Sequence, residues 1–179
     1  MKSQVTFQKN YPSINLYDQS GTDVLPMNDG GYLICGTTTN EILNDMDIYV
    51  VKTDNMGVPI WTKSYGGNKV EYANSMLETS DGNYFIVGYS QSYGGGDYDI
   101  YLIKIKPNGD TLWTKTYGDW GNDQGNEIIP TADGNYIIIG TSNGLATSNY
   151  DALMLKIDID GNEKWKKNYG GNAYESGQS

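Results

Sequence analysis

The sequence predicts an all-β chain assembled from repeated four-stranded antiparallel units. Three observations carry that expectation. First, a set of landmarks recurs every 52 residues: Asp29, Asp81 and Asp133; Gly36, Gly88 and Gly140; Asp47, Asp99 and Asp151; Lys52, Lys104 and Lys156; Trp61, Trp113 and Trp165. Second, each period contains four short apolar or alternating runs separated by turn residues. Third, no stretch sustains the 3.6-residue periodicity of an amphipathic helix. A period of this length, filled with short strands, is nearest to the blade of a β-propeller. One blade cannot bury its faces alone and is stabilised by stacking on its neighbours.

Taken in order, residues 1–11 contain VTFQKNY, a copy of LWTKTY (112–117) and KWKKNY (164–169) with Phe7 in the tryptophan position. They read as the last strand of a preceding blade. Residues 12–65, 66–117 and 118–169 form three full blades, and 170–179 copies the start of a further repeat before stopping. Within the middle blade the first strand is expected at 74–79, short and alternating. The second (83–89) and third (99–105) are near-continuous apolar runs, as suits strands covered on both faces. The fourth (111–117) alternates, as suits a half-exposed strand. The Asp-Gly pairs at Asp81–Gly82 and Asp133–Gly134 suggest two-residue type I′ hairpins. Asp54–Gly57, Pro107–Gly109 and Asp158–Gly161 mark the turn before each tryptophan strand. Three blades cannot close a ring. The array is therefore expected either to continue in a longer chain or to close as a homodimer, two copies pooling their blades.

The pattern DGGY–apolar–G…D-x-Y–apolar–K-x-D-x-x-G-x-x-x-W-x-K-x-Y-G-G spans Phe7 to Tyr169. It resembles the β-propeller repeats of large bacterial and archaeal surface proteins. The resemblance implies a secreted or surface-anchored location and a scaffold or adhesive role. Asp54/Gly57/Trp61 and Asp158/Gly161/Trp165 also resemble the tryptophan-docking motif of quinoprotein propellers, and the middle repeat departs from it with Lys106 in the aspartate position.

Composition narrows the function classes. The 179-residue chain has a formal charge of −10, and all 12 of its basic residues are lysine. Nucleic-acid binding needs a basic stripe and favours arginine, so nucleic acid is not an expected partner. No apolar run is long enough for a transmembrane helix, so no membrane insertion is expected, and the first residues carry no apolar signal region. The single cysteine, Cys35, sits in the run YLIC and is read as a small buried hydrophobe. With no histidine, Ser-His-Asp catalysis and histidine-bearing zinc sites have no candidates.

Candidate site residues therefore come from the loops. Trp61, Trp113 and Trp165, one per repeat, are assigned to packing between blades, because a tryptophan buries a large area. Lys52, Lys104 and Lys156 close an apolar strand and are expected to pair with the repeated acids. Trp120, in GDWGND, has no counterpart in the other repeats and is the first candidate for an exposed ligand-contacting aromatic. Tyr89, Tyr93, Tyr98 and Tyr150 lie in or beside the segments that vary between repeats (37–46, 89–98, 141–150), and suit sugar rings through stacking and hydrogen bonding. Asn44, Asp45 and Asp47, Asp97 and Asp99, and Asp158 and Asp160 with Glu163 supply the oxygen ligands that calcium uses, making Ca2+ the one cofactor considered. Glu71, Asp123 and Glu175 recur in the loop entering each blade. They are read as structural, with acid–base work on a glycoside as the alternative. The expected function is a non-enzymatic scaffold or binding module for a glycan or protein partner at a cell surface. The alternatives are a propeller-type carbohydrate hydrolase or lyase, and a purely structural spacer.

Overall fold

In the computed structural model, residues 18–40, 45–143 and 150–170 are described. The strand assigned to 1–11, the repeat start at 171–179, Asn44 and Glu175 lie outside them. The described residues contain 12 strands and no helix. β1 (Asp18–Pro26), β2 (Tyr32–Asn40), β3 (Asp45–Thr53) and β4 (Pro59–Tyr65) form the first sheet. β5 (Glu71–Glu78), β6 (Tyr84–Ser90), β7 (Asp99–Ile105) and β8 (Thr111–Tyr117) form the second, and β9 (Asn122–Pro130), β10 (Tyr136–Asn143), β11 (Asp151–Ile157) and β12 (Glu163–Tyr169) the third. Each is an antiparallel meander in chain order.

The six tight hairpins, two in each sheet, use one turn. At Thr79–Gly82 the Gly82 amide donates to Thr79 O at 2.9 Å and the Thr79 amide to Asn83 O at 2.8 Å. The same pair of bonds closes the hairpins ending at Gly30, Gly57, Gly109, Gly134 and Gly161. Each of these glycines has φ between 71° and 84°, the left-handed region that costs glycine nothing. The two-residue type I′ turn expected at Asp81–Gly82 and Asp133–Gly134 is thus replaced by a turn one residue earlier, with glycine in the bulge that follows it. Asp81 caps the turn, accepting from the Thr79 hydroxyl at 2.6 Å.

The first strand of each sheet is longer than its alternation suggests. β5 begins at Glu71 rather than at residue 74, because Asn74 is a bulge that shifts the period by one residue. Thr22 and Asn126 are bulged at the equivalent positions. The opposing strand must then pass against the bulge. A side-chain carbon at Gly36, Gly88 or Gly140 would collide with the carbonyl of Ser20, Tyr72 or Gln124. That collision accounts for the repeated glycine.

The sheets stack face to face. Leu33, Cys35, Ile48 and Val50 of the first meet Ala73, Met76, Ile86 and Ile103 of the second. On its other side, Phe85, Val87, Ile100 and Leu102 meet Ile128, Ile138, Leu153 and Leu155 of the third. The second sheet is covered on both faces, which is why β7 is buried along its whole length. Cys35 lies in the first of these cores, and burial pushes its thiol up to about 12.

Polar contacts fix how each sheet meets the next, and they recur one repeat on. Tyr65 donates its hydroxyl to Gly109 O and Tyr117 to Gly161 O, both at 2.6 Å. The Trp61 ring covers Gly109 and the Trp113 ring covers Gly161, where a side-chain carbon would sit 3.1 Å and 2.7 Å from the indole. Lys63 reaches Asp110 at 2.6 Å, and Lys115 reaches Asn162 at 2.9 Å. The bulge residues cross the junction too: Thr22 Oγ1 donates to Ala73 O and Asn74 Nδ2 to Gly125 O, both at 2.8 Å. Trp61 and Trp113 therefore have the packing role assigned to them. Within each sheet the repeated lysine pairs with the repeated turn aspartate: Lys52–Asp29 at 3.0 Å, Lys104–Asp81 at 2.7 Å and Lys156–Asp133 at 2.6 Å.

Candidate functional site

The two ends of the sheets differ in kind. One end carries the six uniform hairpins. The other carries the variable loops and the crossings from sheet to sheet, where short parallel bridges join Met46 to Val70 and Tyr98 to Asn122. Every aromatic residue singled out above for ligand contact lies at or near this loop end.

Three of them gather there. Tyr89, at the end of β6, sits edge-on to Tyr98 with ring centroids 5.3 Å apart. On its other side Tyr89 meets Tyr72 at 4.8 Å. Tyr150 is the repeat equivalent of Tyr98, and its hydroxyl accepts from Asn122 Nδ2 at 3.2 Å. The Tyr72 hydroxyl lies 3.2 Å from the Met46 sulfur. All four rings are half-buried, with part of each surface open to solvent. Burial, with the neighbouring Tyr72 and Tyr98, pushes the Tyr89 hydroxyl up to about 12, so it is a neutral donor at physiological pH. Beside these rings Asn122 Oδ1 is buried without a hydrogen-bond partner. An unpaired buried acceptor is costly and is usually met by water or a ligand.

Trp120 projects from the adjacent loop at residues 118–121 and is 74% exposed. That loop is braced by its neighbours: Asp123 Oδ2 accepts from the Asp119 amide at 3.0 Å. Gly96 fits against Gly121 O only because it has no side chain. Tyr93 lies apart from the cluster, on the opposite face of the second sheet. It stacks on Tyr101 at 5.3 Å and donates to Gly66 O at 2.9 Å. With Gly67, Asn68, Lys69 and Ser92 it lines a separate cleft of about 240 Å³. Tyr72, Met46 and Asn122 were not among the sequence candidates. Tyr72 carries a signal in retrospect, being an aromatic where the other repeats place Ser20 and Gln124.

The acidic residues are spread over three places. Asp47 faces Glu71 across the first junction, and Asp99 faces Asp123 across the second. Glu71 is fully buried and pins the loop, accepting from Gly67 N at 2.7 Å, Ser90 Oγ at 2.6 Å and Ser92 N at 3.1 Å. Asp123 is one methylene shorter and keeps the first of these bonds, while its Oδ1 is buried without a partner. Asp45 and Asp47 likewise each have a buried, unpartnered Oδ1. Asp97 is exposed, and Asp99 accepts from Gly96 N at 3.0 Å. Asp158 caps its own turn, accepting from the Asp160 and Asn162 amides, and pairs with Lys164 at 2.8 Å. Glu163 and Asp160 are exposed. Among the described residues no group of three or more Cys, Asp or Glu is arranged to hold a metal ion.

Burial, then the charges of Asp45 and Glu71, raise the Asp47 carboxyl from 3.8 to about 6. A carboxyl whose folded-state value lies above its unfolded value is penalised once ionised. The penalty is absent below about pH 4, grows as pH rises, and is fully present above about pH 6. Asp47→Asn is therefore expected to melt higher than the parent at neutral pH, with the difference vanishing near pH 4. Melting curves of the two proteins across that range check it.

No family model matches the chain, and no curated protein matches it.

Proposed function

We propose that this chain is a non-enzymatic binding module of β-propeller type, secreted or displayed at a cell surface, that holds a neutral carbohydrate at its loop end. The propeller reading is supported by three meandering four-stranded sheets, stacked through one repeated set of junction contacts. The binding reading is carried by the tyrosine cluster. Tyr72, Tyr89, Tyr98 and Tyr150 come from two sheets, keep half-exposed rings, and border the unpaired acceptor of Asn122. Aromatic faces beside fixed polar atoms suit the C–H faces and hydroxyls of a sugar. The net charge of −10 repels anionic ligands, so uncharged saccharides are favoured over uronic or sulfated ones.

A glycan array followed by calorimetric titration tests this. Binding to neutral oligosaccharides is expected, weakened roughly tenfold or more by Tyr98→Ala, which is about 1.4 kcal/mol. Trp120→Ala should also weaken it while leaving the melting temperature unchanged, since that side chain is mostly in solvent. No binding on the array, or binding indifferent to both substitutions, would refute the assignment.

A further inference from the structure

The two outward faces of the stack are halves of the contact that already joins its sheets. Most residues that are buried between sheets have equivalents that are more open at the ends; Val51 (3% exposed) and Ile137 (9%) stay covered on the outward faces. Ile129, on the outward face of the third sheet, is 46% exposed, whereas its equivalent Leu77 is 8% exposed between the second and third. On the same face Ile139 and Met154 are half-buried, while their equivalents Val87 and Leu102 are fully enclosed. On the outward face of the first sheet, Val24 is 57% exposed against 5% for Met76 and 3% for Ile128. Ile34 and Tyr49 are half-buried there, against 0% for Ile86 and 4% for Tyr101.

The polar half of the junction is also present. Tyr117 is half-buried and bonded to the next sheet, but its equivalent Tyr169 is 51% exposed. Lys167, the counterpart of Lys63 and Lys115, is exposed and lies over the Trp165 ring at 5.6 Å, as Lys115 lies over Trp113 at 5.4 Å. Trp165 belongs to neither apolar core that engages Trp61 and Trp113.

The third sheet thus presents the face that, in this chain, seats a following sheet. The first sheet presents the face that is seated. Both halves are on one molecule, and they are different surfaces. We infer that the chain associates with a second copy of itself head to tail, the outward face of β9–β12 of one copy docking on the outward face of β1–β4 of the other. Such a contact is heterologous, and it propagates unless a ring closes. The inference goes beyond the carbohydrate reading and does not depend on it.

Light scattering over a wide concentration range tests it, using the whole chain and two variants, Val24→Asp and Ile129→Asp. Each places a charge on one outward face only. The parent should associate in a concentration-dependent way, and each variant should do so roughly tenfold more weakly or less. The decisive arm is a mixture of the two variants. Val24→Asp keeps an intact third-sheet face and Ile129→Asp an intact first-sheet face, so the mixture should regain a one-to-one complex that neither forms alone. A parent that is monomeric throughout overturns the proposal. So does association that survives both substitutions, or variants that fail to complement each other, as a two-fold symmetric contact would require. Val24→Ser and Ile129→Ser repeat the comparison should either aspartate variant lose its strand circular dichroism.

Discussion

Replacing Gly88 with alanine should destabilise the protein by more than about 3 kcal/mol, the upper end of what overpacking costs. The position looks innocuous, since one methyl is added to an apolar strand. Its surroundings make it costly. The Asn74 bulge presses the Tyr72 carbonyl against Gly88, so an added carbon would collide with that oxygen and lie 2.7 Å from the carbonyl carbon and 3.1 Å from Ala73 Cα. All of these are backbone atoms, and no rotamer change relieves them. The bulge cannot retreat either, because Asn74 Nδ2 is bonded to Gly125 O of the third sheet. Gly82→Ala is the natural contrast. Gly82 has φ of 75° with nothing within 4 Å of an added carbon, so it should cost only the left-handed penalty of about 1–2 kcal/mol. Chemical denaturation of both variants measures the difference directly.

Phe85→Ala is expected to cost about 3–5 kcal/mol, a large share of the ~5–15 kcal/mol that holds a domain folded. Phe85 is fully buried between the second and third sheets. Its ring meets the edge of Tyr136 at 5.0 Å and lies 5.5 Å from Trp113. The Lys104 ammonium sits 5.5 Å above it, held there by Asp81 at 2.7 Å and Ile159 O at 3.1 Å. Removing the ring leaves a cavity at a junction where the neighbours are tied by hydrogen bonds and cannot collapse inward. It also takes an aromatic face away from a nearly buried cation, worth roughly a further 0.5–2 kcal/mol. Ile137, 9% exposed, occupies the same repeat position on the outward face of the third sheet, and among the described residues no following sheet packs against it. Its truncation should cost clearly less.

Much of the fold was legible because it is written three times. A single DGNY or a single tryptophan is weak evidence, but recurrence at a fixed interval separates residues that serve the fold from those that do not. It placed β7 and β8 at their observed bounds, assigned Trp61 and Trp113 to packing, and anticipated the pairing of Lys52, Lys104 and Lys156 with the turn acids. The same logic missed what period-two alternation cannot express. The bulge at Asn74 hid the first three residues of β5, because one inserted residue moves every following side chain to the other face. The Asp-Gly pairs pointed to the wrong two-residue turn, since the hydrogen bonds close one residue earlier, on Thr79 and Thr131.

The candidate site was legible in part. Non-recurrence pointed to Trp120 and to the tyrosines of the variable segments, and Tyr89, Tyr98 and Tyr150 do come together. Tyr93 looked equivalent in sequence, but it lies in the loop between β6 and β7, which carries it to the opposite face of the sheet, onto Tyr101. Tyr72 and Asn122 were hidden because they belong to the first strands of the second and third sheets, and only the crossing between sheets brings those strands beside the loop tyrosines. The acids tell a similar story. Glu71 and Asp123 repeat in sequence, yet one methylene decides whether the second carboxylate oxygen reaches its serine or is left buried and unpaired.

The central claim is that the three sheets stand only by leaning on one another, the second covered on both faces and each junction locked by the same contacts. Differential scanning calorimetry of the parent chain tests it most directly. A stack of this kind predicts one transition, with calorimetric and van't Hoff enthalpies in agreement, and both Gly88→Ala and Phe85→Ala lowering that transition as a whole. Two or three resolved transitions, with Phe85→Ala shifting only one of them, would mean that the sheets fold as separate units and would contradict the account.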